Sequence, residues 1–221
     1  MERTIRVTGR GRISVSPDTI RLIIRSTGTY KEYSKALEAS VEDTEILRKA
    51  VVKAGLRSED LKTNDFFVNT EYESYREEYD GWSQRLKGYS YHHNMFIMFP
   101  KDNDMLGRLL TELSLCGIHA EFEIVYTVRD QEELRNELLR RAVKDSRTKA
   151  KILTEASEVS LDEIMSIDYS WQETDFQTTP LRLAKMDMAY RGDTEESGID
   201  LDIEAADITH EDTVTVVWSI K

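Results

Sequence analysis

Apolar and polar positions alternate over much of the chain, and this alternation predicts β-strands with one buried face. Over residues 4–16 the apolar side chains share one parity from Ile5 to Val15. A turn at Ser16-Pro17-Asp18 follows, so the stretch 20–25 is predicted to return as the second strand of a long hairpin. The same pattern predicts further strands over residues 61–73, 88–99, 122–128, 165–171 and 214–220.

Three other stretches repeat apolar residues every three or four positions, which is typical of helices that bury one face. The first is predicted to begin after a capping box at 29–32 and to end at Gly55. The second is short and stops at Gly117. The third and longest begins with a second capping box, formed by Asp130 and Glu133, and extends to about Ser157.

The predicted element order is ββαββαβαββ. Hairpins mixed with helices indicate an α+β fold, with a largely antiparallel β-sheet packed by two long helices and one short helix. A single domain is expected over residues 1–221. It carries an aromatic hairpin loop at 74–86 and a long acidic loop insertion at 172–209. Within that insertion we predict a short helix after Thr179-Pro180 and a short edge strand at 199–204.

Charge sharpens the interpretation of the long acidic loop. The 42 acidic and 30 basic residues give a formal net charge of −12, which argues against nucleic-acid partners and against docking on an anionic membrane. Residues 173–212 contain 12 acidic and three basic side chains. We expect this segment to lie on the surface and to be mobile, to bind cations or to pair with a basic helix face such as 140–151. Its deletion over 176–206 is expected to leave the fold nearly intact.

The cellular compartment is predicted from absences in the sequence. The single cysteine, Cys116, excludes an intramolecular disulfide. The first 15 residues show no secretion-signal pattern, and no apolar run approaches the length of a membrane span. These features predict a cytoplasmic protein.

Four motifs in order along the chain resemble the SIMPL domain family. They are IRVTGRG with VSPD (5–11 and 15–18), GL with DLKT (55–56 and 60–63), GY with LGRLL (88–89 and 106–110), and AVKDSRTKA (142–150). The sequence departs from the family pattern at Glu158 and Asp162, where glycines are usual, and at Ala205-Ala206-Asp207, where a Pro-Gly-Glu step is common.

The resemblance implies an α+β fold, self-association and a bacterial protein. Family members are linked loosely to stress responses and signalling, and many bacterial members carry a secretion signal, which this sequence does not show. The resemblance supplies no catalytic residues and no cofactor.

Histidine and cysteine are the residues with the most chemical potential. Neighbours on a strand point to opposite faces, so His92-His93 predicts an inward, hydrogen-bonded His93 and an outward His92 rather than a metal site. Cys116 and His119 lie on either side of Gly117 and have no orienting third group. We interpret Cys116 as a small buried apolar residue.

Two further patterns resemble known sites without matching them. Gly9-x-Gly11 lacks the third glycine of a dinucleotide loop and indicates a bulge or a close backbone approach. Asp200-x-Asp202-x-Glu204 alternates with apolar residues, unlike an EF-hand loop. We therefore interpret the segment as an amphipathic strand and keep its three carboxylates as candidate cation ligands.

Two hypotheses for function follow. The first is a non-enzymatic module that self-associates and contacts protein partners through loop aromatics, loop methionines and a basic helix face: Tyr75, Tyr79, Trp82, Met186, Met188, Arg140, Arg141 and Lys144. The alternative is a small-molecule sensor or enzyme with a pocket beneath the 172–209 loop, where the candidate polar groups are His93, His119 and His210.

Overall fold

The computed structural model describes residues 3–77, 81–169, 175–183 and 203–221. The predicted α+β class, with two long helices and one short helix, is confirmed in these residues. Their elements are β1 (Thr4–Val15), β2 (Thr19–Tyr30), α1 (Tyr33–Lys53), β3 (Lys62–Glu77), β4 (Gly81–Pro100), α2 (Asn103–Leu115), β5 (Ala120–Thr127), α3 (Gln131–Ala156), β6 (Leu161–Asp168), β7 (Leu181–Leu183) and β8 (Ile208–Ile220).

The chain folds into two compact units, each with its own sheet. The first unit is drawn from residues 1–18, 127–178 and 205–221, and the second from 19–126 and 179–204. In the first unit an antiparallel sheet of order β1-β8-β6 packs against α3. In the second, a five-stranded sheet of order β3-β4-β2-β5-β7 packs against α1, which also contacts α2.

Two glycines set the distance between α3 and β1. A Cβ on Gly9 would lie 2.0 Å from the Ala142 carbonyl oxygen, and one on Gly11 would lie 2.0 Å from that of Leu138. The pairing of β1 with β8 runs without a bulge. Of the two predicted explanations for this glycine pair, the close backbone approach is therefore the correct one.

The same helix covers the open edge of β1. The Arg141 guanidinium donates to the Arg12 carbonyl at 2.9 Å, the Arg10 amide donates to the Asp145 carboxylate at 2.7 Å, and the Lys149 ammonium donates to the Thr8 carbonyl at 3.3 Å. Helix residues four positions apart thus contact strand residues two positions apart. The two spacings match because four helical residues advance about 6 Å and two strand residues about 7 Å. Pairing of another strand along this edge is blocked.

The beginning of the acidic insertion contains a buried residue and a strand, which corrects one prediction. Phe176 is fully buried and packs with Ile13, Val128, Leu138 and Ile208. Residues 181–183 form β7, which pairs with β5, where a helix after Thr179-Pro180 was predicted. Deletion of 176–206 would remove both features, so we now expect it to destabilise the fold.

Two local predictions near β2 are also wrong. β1 and β2 do not form a hairpin with each other, because β1 pairs with β8 and β2 pairs with β4. No capping box forms at 29–32 either: β2 continues to Tyr30, and the N-cap of α1 is Glu32, which makes no side-chain cap bond. The second predicted cap is present, since the Asp130 carboxylate accepts from the Glu133 amide at 2.9 Å.

The predicted aromatic loop at 74–86 is largely strand. Residues 74–77 belong to β3 and residues 81–86 to β4, and the two stretches pair from Ser74–Gln84 to Glu77–Gly81. The polar residues concealed this pairing because neither face of this part of the hairpin is uniformly apolar.

Candidate functional site

The outer part of the β3–β4 hairpin extends beyond its sheet. β2 pairs with β4 only as far as Tyr89, whereas β3 continues to pair with β4 down to Gly81. A register shift after Glu71 marks the base of the extension. We call residues 71–77 and 81–87 the arm. Among the described pairings it is a two-stranded ribbon.

One face of the arm is aromatic and exposed. Tyr72 lies opposite Leu86, and Trp82 lies farther along β4 on the same face. Their exposed fractions are 61%, 50% and 75%, respectively. Exposed side chains of this kind are enriched where proteins associate.

The other face of the arm is held together by charge. Arg85 donates to the Glu73 carboxylate at 2.5 Å and lies over the Tyr75 ring, 5.3 Å from its centroid. Of the predicted contact residues in this hairpin, Tyr75 is thus engaged within the arm and Trp82 is open. Tyr79 lies outside the described residues.

A second candidate site is a cleft of about 470 Å³ in the second unit. Helix α1 forms one wall, β3 forms the other, and His93 of β4 contributes from the sheet. Its lining side chains are Leu37, Ser40, Val41, Thr44, Glu45, Arg48, Thr63, Phe66 and His93.

Hydrogen bonds fix the ring of His93 in this cleft. The Thr44 hydroxyl donates to the Ser40 carbonyl at 2.7 Å, so its oxygen accepts from His93 Nδ1, 3.2 Å away. His93 Nε2 then accepts from the Thr63 hydroxyl at 2.8 Å. This assignment places the proton of the neutral ring on Nδ1.

The environment of His93 favours its neutral form. Burial lowers the pKa of His93, the nearby Asp65 carboxylate opposes this shift, and Arg48 adds to it. The prediction of an inward, hydrogen-bonded His93 is confirmed. Its neighbour His92 is half-buried and stacks on Phe67, with the ring centroids 4.8 Å apart.

A buried polar network lies between α1 and the same sheet. The Tyr91 hydroxyl donates to the Asp43 carboxylate, and the Ser26 hydroxyl donates to the same oxygen at 3.0 Å. Burial and the Asp43 carboxylate raise the pKa of the Tyr91 phenol. Tyr91 therefore stays protonated and acts as a hydrogen-bond donor.

The remaining histidines and the cysteine are not gathered at the cleft. His119 is exposed, and His210 packs edge-on against Phe176 in the first unit. The Cys116 thiol donates to the Leu113 carbonyl at 2.9 Å, and burial raises the pKa of this thiol. A protonated thiol is a poor nucleophile.

The basic residues predicted as contacts on α3 have different roles. Arg141 is bound to β1 and to Glu137, and Arg140 lies 3.6 Å from the same Glu137 carboxylate. Lys144 is exposed and borders a surface depression with Arg140.

Several predicted site residues cannot be placed. Asp200, Asp202, Met186 and Met188 lie outside the described residues, as does most of the predicted strand at 199–204. Glu204 is exposed. Within the described ranges, no group of three or more His, Cys, Asp or Glu side chains is placed to hold a metal ion.

The fold and these surfaces define an α+β protein of two antiparallel-sheet units, with an exposed arm and a side-chain-lined cleft as its candidate binding sites. Residues 5–218 match the family model SIMPL, which is described as a protein of unknown function. The chain belongs to the SIMPL family.

Two curated relatives are similar to this chain. Each is a "26 kDa periplasmic immunogenic protein", one from Brucella melitensis biotype 1 and one from Brucella abortus strain S19. Each is 25% identical over 166 residues, which cover 74% of this chain and 65% of the relative. The chain thus matches just under two thirds of the relatives' length. Among the described helices, none is long and apolar enough to cross a membrane.

The sequence interpretation missed the cleft and the Tyr91 network. A usable signal was present, because Ser40 and Thr44 interrupt the apolar stripe that α1 directs at its sheet. Polar residues on such a stripe need partners in the sheet, and here that partner is His93, whose other ring nitrogen accepts from Thr63.

Proposed function

We propose that this chain is a non-enzymatic interaction module that self-associates, and that the arm is its contact surface for a second copy. The observation that carries the proposal is the exposed face formed by Tyr72, Trp82 and Leu86 on a two-stranded extension. A two-stranded hairpin is marginally stable in water by itself. Covering its aromatic face would stabilise it.

The charge of the arm is compatible with a second copy as the occupant of this face. Copies that each carry a net charge of −12 repel one another over most of their surfaces. The arm, as residues 71–77 and 81–87, has three acidic and three basic residues. Contact through the arm therefore joins two segments that carry no net formal charge.

Sedimentation of the full chain tests this proposal. Wild-type protein at tens of micromolar is expected to sediment with a mass that is a multiple of 25.6 kDa. Trp82→Glu places a charge on the most exposed of the three residues of the proposed contact and should shift the mass to that of a single chain.

A matched control comes from another exposed apolar residue. Leu115, at the end of α2, is 65% exposed, and Leu115→Glu should keep the wild-type mass. A wild-type chain that is monomeric at these concentrations would overturn the proposal. So would a Trp82→Glu variant that keeps the wild-type mass.

The proposed function also includes a cellular location and a biological pathway. The sequence pattern predicts the cytoplasm, whereas the curated relatives are named periplasmic. Fractionation of cells that express the natural gene distinguishes the two locations. A link to stress responses or signalling stays a prediction from the family resemblance.

A further inference from the structure

We infer that the cleft between α1 and β3 is a binding site for an uncharged, mostly apolar small molecule with one hydrogen-bond-accepting oxygen. This inference is independent of self-association through the arm, because all of the residues that line the cleft lie outside the arm. A volume of about 470 Å³ falls within the range of small-ligand sites, roughly 300–1,000 Å³.

The walls of the cleft present apolar side chains that are exposed to water. Leu37 and Val41 come from successive positions of one α1 face, and Phe66 faces them from β3. Val41 and Phe66 stay 60% and 41% exposed. Filling the cleft would remove this apolar surface from water, which is the main driving force for binding an apolar molecule.

The floor supplies an oriented donor. Because His93 Nδ1 carries the proton, the Ser40 hydroxyl oxygen, 3.4 Å away, acts as an acceptor towards the ring. Its own hydrogen is then available to a ligand. Ser40 is only 3% exposed, so this donor is fixed inside the cleft, and it favours a ligand with an acceptor oxygen.

The rim explains why the ligand should be uncharged. Glu45 and Arg48 both line the cleft. Because their charges are opposite, the cleft attracts neither anions nor cations strongly. The imidazole of His93 is held neutral by its surroundings. The lining therefore offers no net charge that would compensate for dehydrating an ionic ligand.

The probe for this site is prodan, an uncharged naphthalene dye with one ketone oxygen. Its emission shifts to shorter wavelength when the dye enters an apolar site. We expect saturable binding of one dye per chain. Val41→Trp, which fills the cleft from an exposed position, should abolish the binding. Ser40→Ala removes the donor and should weaken it about threefold to tenfold, as expected for one hydrogen bond.

The matched control is Val52→Trp on the same helix. Val52 is 52% exposed and does not line the cleft, so this variant should bind the dye as wild type does. Absence of saturable binding to the wild type would overturn the inference. So would retention of wild-type binding by Val41→Trp, or its loss in Val52→Trp.

The arm variant separates this inference from the proposed function. Trp82→Glu should change the sedimentation mass and leave dye binding unchanged. If dye binding disappears with Trp82→Glu, the dye occupies the arm contact and the cleft is not its site.

Discussion

The two main helix–sheet contacts of this molecule are built in opposite ways. In the first unit, α3 packs onto β1 at Gly9 and Gly11, where a single added Cβ would collide with helix backbone. In the second unit, α1 faces strand positions that carry full side chains, among them Thr63, Phe66 and His93. The first contact closes to backbone distance, and the second leaves a cleft.

The difference shows what each contact can do. Where glycine lets two backbones meet, the polar groups of the helix and the strand form hydrogen bonds with each other. The Asp145 carboxylate, for example, accepts from the Arg10 amide. Such a contact fixes the fold and leaves no room for a ligand. Where side chains line the contact, as Phe66 and His93 do at the cleft, both apolar surface and fixed polar groups stay accessible.

Two of the four family motifs meet in the α3–β1 contact. The glycines of the first motif and the Ala142–Ala150 segment of the last one form the α3–β1 contact: Ala142 and Ala150 are buried, and Asp145 and Lys149 bind the β1 edge. These residues connect the first and last motifs to the packing of α3 on β1.

The largest expected effect comes from placing a methyl group in the closed contact. Gly9→Ala puts a Cβ 2.0 Å from the Ala142 carbonyl oxygen and 2.4 Å from the Ser146 amide nitrogen, and both are backbone atoms with little freedom to move. We expect a loss of about 3 kcal/mol in the free energy of unfolding, the upper part of the range for overpacking. Urea denaturation followed by circular dichroism measures it.

The neighbouring residue provides the control for this substitution. Thr8 is exposed on the same strand, and Thr8→Ala should cost less than about 1 kcal/mol. If the two variants are equally stable, β1 and α3 are not in backbone contact at Gly9, and the contrast between the two helix–sheet contacts is lost.

Most of the elements could be predicted from the sequence because local periodicity determines them. The three helices and the alternation of β1 and β8 are examples. Gly55 and Gly117, which are the predicted stops of the first two helices, both have positive φ. The sequence does not predict equally well which strands pair with each other. β1 pairs with β8 across nearly the whole chain, and alternation identifies a strand without identifying its neighbour.

The candidate site was predictable only in part, for a related reason. The alternation of strand faces correctly gives the inward direction of His93. Its partners Thr44 and Thr63 come from two other elements, and no local pattern joins them. The arm was mistaken for a loop because its strands pair beyond the sheet, where no core imposes alternation.

An intermediate effect is expected at the polar network beneath α1. Tyr91→Phe keeps the buried ring and removes the hydroxyl that donates to Asp43. The acceptor is a half-buried carboxylate, which would keep only the Ser26 donor. Because hydrogen bonds to charged groups contribute more than neutral ones, the expected cost is about 1.5–3 kcal/mol in the free energy of unfolding. Tyr89→Phe, two residues away on β4, should change stability by less than about 0.5 kcal/mol. A Tyr91→Phe variant as stable as Tyr89→Phe would show that the network contributes nothing to the α1 contact.

The smallest expected effect is a dependence of stability on pH between pH 7 and pH 5, caused by His93 in the cleft between α1 and β3. Because burial lowers the pKa of His93 below its usual 6.5, the unfolded chain takes up a proton at a higher pH than the folded chain does. The stability contributed by neutral His93 is therefore fully present above the unfolded-state pKa of about 6.5 and is lost as pH falls through the lower, folded-state pKa.

Urea denaturation at pH 7 and pH 5 measures this effect. The midpoint urea concentration should decrease more between pH 7 and pH 5 for wild type than for His93→Gln, which cannot titrate. His119→Gln, at an exposed position, should follow the wild type. Equal slopes for wild type and His93→Gln would mean that His93 is solvated in the cleft, and the oriented Ser40 donor inferred from its tautomer would no longer follow.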